Sequence, residues 1–203
     1  MKSDAICPRR PWRGKKNERG VLTDKIQIDL LDQYWIDRDE HNQSDYCSHG
    51  DIYLSINENE VINKESGSWT VASAALRLMK SALYGYNSCS DLPIISCCGY
   101  LLNFGCPNII TWDAEIVGNS IKISNIEVGE IKYGGHIFSK DKFIIDLKEY
   151  RDQVMSFARK VKRFYSKNKP RAFADEYYKE EYQEYWRQFE LRYSALKNEK
   201  TSD

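Results

Sequence analysis

Between residues 25 and 31 the chain alternates. Ile26, Ile28 and Leu30 are set against polar neighbours, which predicts a half-buried strand. The same period returns at Ile52, Leu54 and Ile56. After the polar stretch 57–59 the apolar pattern resumes at Val61, so the spacing predicts a β-hairpin, strand 51–56 with strand 60–63. At "SWTVASAALRLMKSALYG" the period changes. Val71, Ala75, Leu78, Met79 and Ala82 fall on one helical face, alanine favours the helix, and Gly85 is placed to end it.

The stretch "NIITWDAEIVGNSIKISNIEV" returns to strands. Its Gly118-Asn119 pair suits a two-residue hairpin turn. "HIFSKDKFIIDL" predicts one further strand, and the rest of the chain is helical. Tyr150, Val154, Phe157, Val161 and Phe164 line one face of a helix at about 148–166. Pro170 interrupts, and Tyr178, Tyr182, Tyr185, Phe189, Tyr193 and Leu196 repeat the stripe from about 174 to 197. The short connection 167–173 makes these helices an antiparallel pair. Strands first and helices last predict an α+β fold: a mainly antiparallel sheet, one central helix, and a C-terminal helix pair packed on one face.

The length of 203 residues suits one domain with a sizeable core. We expect it to span 21–198, after a flexible basic tail at 1–20 and before a disordered end at 199–203. The tail carries Lys2, Arg9, Arg10, Arg13, Lys15, Lys16 and Arg19 against Asp4 and Glu18. Over the whole chain 30 basic and 30 acidic residues cancel, which argues against nucleic acid, whose phosphates call for a cationic excess. No run approaches the about 20 apolar residues of a membrane span. The first twenty residues hold no apolar core for a secretory signal, so a cytoplasmic protein with reduced thiols is the expectation.

In that compartment six cysteines suggest metal binding, packing or reactivity before disulfides. "CSHGD" at Cys47 and "ISCCGYLLNFGCPNIITW" from Ile95 offer Cys47, His49, Cys97 or Cys98, and Cys106 as a zinc tetrad. The spacing lacks the paired knuckles of zinc modules, and adjacent strand residues point to opposite faces, so only one of Cys97 and Cys98 suits a ligand role. A thiol nucleophile needs a low-pKa cysteine beside a histidine, and His49 with Cys98 is the available pair. The favoured reading is buried packing, with Gly99, Gly105 and Pro107 serving backbone turns. His41 reads as a solvated loop residue and His136 as structural. "YGGH" at 133–136 fits no phosphate-loop fingerprint, and Asp113 with Glu115 reads as solvated strand surface.

The terminal helix is the most unusual segment. "ADEYYKEEYQEYWRQFELRY" holds more aromatic residues than one core face uses, and Tyr177 and Trp186 fall off the main stripe. Asp175, Glu176, Glu180, Glu181 and Glu184 outnumber Lys179 and Arg187. An acidic surface bearing Tyr177 and Trp186 suits a basic protein partner, because such rings bury large area while keeping a polar tip.

The patterns "DYCSHGDIYLSIN", "SWTVASAALRLMKSAL" and "ISCCGYLLNFGCPNIITWD" resemble those of small cytosolic bacterial proteins of the polymorphic-toxin immunity type, over roughly 45–190. That resemblance implies a protein that occludes a toxin and brings no shared catalytic residues. The expectation is therefore a non-enzymatic immunity protein without cofactor. It would contact a basic toxin domain through Asp175, Glu176, Tyr177, Glu180, Glu181, Glu184 and Trp186. The alternative is a small zinc protein or thiol enzyme built on Cys47, His49, Cys98 and Cys106. A third reading is a non-catalytic scaffold or phage-related accessory protein.

Overall fold

The computed structural model describes residues 15–16, 22–36, 38, 43–99, 101–103, 105, 108–129, 136–139 and 141–199. Two short strands, β1 (Lys15–Lys16) and β2 (Leu22–Thr23), pair antiparallel, so part of the stretch expected to be a flexible tail is in a strand pair. The rest of 1–20, and residues 200–203, lie outside the described residues. A first sheet contains β3 (Ile26–Tyr34), β4 (His49–Ile56), β5 (Asn59–Ile62) and β6 (Trp69–Thr70). Helix α1 (Val71–Tyr84) follows. The second sheet contains β7 (Ile95–Ser96), β8 (Ile109–Val117), β9 (Ser120–Val128), β10 (His136–Ser139) and β11 (Phe143–Asp146). Helices α2 (Leu147–Lys167) and α3 (Glu176–Glu199) complete an α+β fold whose ladders are antiparallel.

The alternation read from the sequence sets the ladder. Ile26 faces Ile56, Ile28 faces Leu54 and Leu30 faces Ile52, which puts six apolar side chains on one buried face. In the second sheet Ala114 faces Ile123 and Ile116 faces Ile121 around a turn where Gly118 adopts φ 59°. A bulge then breaks the two-residue period. Asn125 takes φ 53° and donates to Asp113 at 2.5 Å, and both Ile123 and Ile126 end up buried. The segment expected to be one further strand is two. Both use the free edge of β9, β11 at its start and β10 at its end.

Asp24 joins the two sheets. Its amide donates to the Ile144 carbonyl, and its carboxylate accepts from the Ile144 amide and from the Asn57 side chain, each at 2.7 Å. On the other side Thr70 Oγ1 donates to the Ser96 carbonyl at 2.9 Å. The outer edge of β3 is occupied by α2 side chains, because Gln153 accepts from the Ile28 amide and Lys160 donates to the Leu30 carbonyl.

Helix α1 is buried nearly all round, including Ser73, Arg77 and Ser81. It contacts β4 and β7 as well as α2 and α3, so a one-face stripe understates its burial. Gly85 ends it at φ 77°, where a Cβ would lie 2.6 Å from the Ala114 carbonyl oxygen. The terminal helices run antiparallel. Arg151 pairs with Glu199 at 2.9 Å and Lys162 with Glu190 at 2.7 Å, so rising numbers on one meet falling numbers on the other. Tyr150, Val154, Phe157 and Val161 of α2, with Tyr185, Phe189 and Leu196 of α3, are buried as their periodicity requires. Phe164 is half-buried, with its ring 4.9 Å from Trp35.

Candidate functional site

Three irregular segments meet at the start of α3: residues 43–47, residues 101–103, and the approach from α2. Backbone bonds and rings hold them. Ala172 donates to the Gln43 carbonyl at 2.8 Å, and Arg171 donates to the Asp45 carbonyl at 3.2 Å. The Arg171 guanidinium also lies 4.0 Å over the Trp35 ring, a stacked cation–π arrangement. Tyr165 of α2 donates to the Tyr46 carbonyl at 2.8 Å and accepts from the Ser48 amide at 2.9 Å. Tyr46 packs on Phe173 and Tyr178, with ring centroids 5.9 and 5.6 Å away. Phe173 continues to Tyr182 and Tyr182 to Trp186, an aromatic ladder under the exposed start of α3.

The seven residues expected to form a partner face separate on this ladder. Asp175, Glu176, Tyr177 and Glu180 are exposed. Asp175 accepts from the Tyr178 amide at 3.1 Å, capping the helix, which an acid at that end also favours electrostatically. Glu176 pairs with Lys179 at 2.9 Å. Tyr177 is 60 % exposed and meets Tyr178 edge-on at 5.5 Å. Glu180, one turn beyond Tyr177, has no ion-pair partner among the described residues. Glu184 sits further along and forks to Arg187 at 2.6 and 2.7 Å, which holds its carboxyl down to about 2.

Glu181 and Trp186 are less exposed, Glu181 buried and Trp186 half-buried. Glu181 is only 7 % exposed. Trp186 packs 5.0 Å from both Tyr165 and Phe189. The stripe is wider than the sequence suggested because α3 packs against both α1 and α2. Burial pushes the Glu181 carboxyl above the usual glutamate range, against the opposing pull of hydrogen bonds from the Leu102 amide and the Tyr46 hydroxyl.

The cysteines and histidines do not assemble as a tetrad among the described residues. No group of three or more His, Cys, Asp or Glu side chains there is placed to hold a metal ion. Cys47 is buried, and burial first, then Asp45 and Glu181, pushes its thiol far up, the reverse of an activated nucleophile. His49 is also buried, and desolvation lowers its pKa. Cys98 is a half-buried free thiol, whereas Cys97 is disulfide-bonded, contrary to the expectation of reduced thiols throughout. Cys106 and His41 lie outside the described residues, as does most of "YGGH".

Sequence reasoning passed over Arg77 and Tyr46. Arg77 is 5 % exposed and donates to the Pro93 carbonyl at 2.8 Å and the Asn103 carbonyl at 3.0 Å. One signal was available: it is the single charge within the apolar run "TVASAALRLM", where a cation is either buried or misplaced. Among the described residues no helix is long and apolar enough to cross a membrane. No family model, curated protein or solved structure matches the chain.

Proposed function

We propose that this chain is a protein-binding protein of the immunity type, which neutralises a basic toxin domain by contact through the start of α3. The observation that carries this reading is the pairing of an exposed Tyr177 with Glu180 one helical turn away, which has no ion-pair partner among the described residues, on an aromatic base fixed by Tyr46, Phe173 and Tyr178. A held tyrosine loses little freedom on binding and buries a large ring, and uncompensated carboxylates favour encounter with a cationic surface. Asp175 and Glu176 extend the acidic edge, while Glu181 and Trp186 support it from inside.

The test is capture of partners from cells with the chain as bait, run beside a Tyr177→Ala, Glu180→Lys variant. A partner kept by the wild type, lost by the variant, and toxic to cells unless the wild-type chain is co-expressed supports the proposal. A partner held equally by both forms removes the site assignment. A partner whose toxicity the chain does not relieve removes the immunity role.

A further inference from the structure

Residues 101–103 have no regular secondary structure, yet Leu101 is fully buried. Two charged side chains from different helices hold this stretch. Arg77 of α1 donates from Nη2 to the Asn103 carbonyl at 3.0 Å. Glu181 of α3 accepts at Oε1 from the Leu102 amide at 3.2 Å, and at Oε2 from the Tyr46 hydroxyl at 3.4 Å. Arg77 and Glu181 are thus connected through the backbone of the loop, a donor side and an acceptor side of opposite charge.

We propose that Glu181 is a proton-sensitive clasp: as a carboxylate it holds the Leu102 amide to α3, and on taking up a proton it slackens that hold while Arg77 keeps the Asn103 carbonyl. Hydrogen bonds to an ionised acceptor are roughly twice as strong as those to a neutral one, so protonation weakens the Leu102 contact. Burial raises the Glu181 pKa, which brings the change to milder acid than an exposed glutamate needs.

The surrounding groups leave Glu181 in charge of the response. Tyr46 and Cys47 face it from the segment before β4, and both are pushed far up by burial. Tyr178 faces Tyr46 from α3 itself, Tyr165 faces Cys47 from α2 and is also pushed far up, and Arg77 faces Cys47 from α1. Asp45 is the other carboxylate near Cys47, and it forms no hydrogen bond with Leu102. Glu181 also supports the proposed platform from inside, but the device does not rest on the binding reading, since its test needs no partner.

The experiment follows amide shifts and hydrogen-exchange protection by NMR from pH 7 to pH 4 in the wild type, Glu181→Gln and Tyr46→Phe. In the wild type the Leu102 amide is expected to titrate with a midpoint above 4.5, the ordinary glutamate value, and to lose protection as it does so. Gly105, whose amide donates to the Cys98 carbonyl, serves as the control and should not follow. Glu181→Gln should abolish the Leu102 titration. Tyr46→Phe, which removes a hydrogen bond that lowers the Glu181 pKa and keeps the ring, should move the midpoint up. A Leu102 amide that does not titrate overturns the proposal, as does one that titrates unchanged in Glu181→Gln or keeps its midpoint in Tyr46→Phe.

Discussion

Arg77 and Glu181 grip neighbouring residues of one loop with opposite charges, the first through the Asn103 carbonyl and the second through the Leu102 amide. Both side chains are buried, so each depends on the hydrogen bonds it makes to the backbone of that loop. Replacing Arg77 by Met keeps the volume but strands the carbonyls of Pro93 and Asn103. The expected cost is about 1–3 kcal/mol for the unsatisfied acceptors alone, read from the shift in urea midpoint. A variant as stable as the wild type would show that the clamp carries no energy.

The pH profile has a defined sign at Glu181. Burial outweighs the hydrogen bonds from Leu102 and Tyr46 and raises its folded-state pKa. For global unfolding, which returns the carboxyl to water, its contribution to stability is therefore complete below the unfolded glutamate range and is lost as pH rises through the folded value. The local loosening at Leu102 leaves the carboxyl buried and runs the other way. Glu181→Gln should therefore be at least as stable as the wild type at pH 7, and its stability should vary less from pH 4 to pH 7. Thermal unfolding across that range checks this. A wild type whose stability climbs through the same window because of Glu181 contradicts it.

The acidic helix separates into support and surface, and mutation should separate them too. Trp186→Ala removes a half-buried ring packed against Tyr165, Tyr182, Tyr185 and Phe189 and should cost about 1–3 kcal/mol. Tyr177→Ala and Glu180→Ala, at exposed positions, should each change stability by no more than about 0.5 kcal/mol. Denaturant titration of the three variants tests the division. A stable Trp186→Ala would return that ring to the surface.

Thiol reactivity follows burial. Cys89 is exposed and Cys47 buried with its thiol held protonated. A thiol reagent applied to the folded protein should label Cys89 early and Cys47 only on unfolding, as read by peptide mass spectrometry. Equal labelling rates would place Cys47 in an accessible site and reopen the thiol reading.

The strands and helices were legible because their apolar periods are long and clean, as at Ile26, Ile28 and Leu30 or along Tyr150 to Val161. The break between β10 and β11 was not, since a shared edge on β9 is a tertiary fact. The site was half legible. Asp175, Glu176, Tyr177 and Glu180 stand at the surface as their composition suggested. Glu181 and Trp186 misled because a glutamate and an off-stripe tryptophan read as exposed when one neighbouring helix is assumed, and α3 has two. Tyr46 gave no signal, because its role depends on a carboxylate 135 residues away.

The irregular segments at the start of α3 form one preorganised platform rather than independent loops. Native-state hydrogen exchange measures this most directly, through the amides of Ser48, Leu102 and Ala172, which bond to Tyr165, Glu181 and Gln43. All three should be protected at pH 7 and open together with one free energy. Exchange of Leu102 and Ala172 at the rate of an unstructured chain, while Ser48 stays protected, would contradict it.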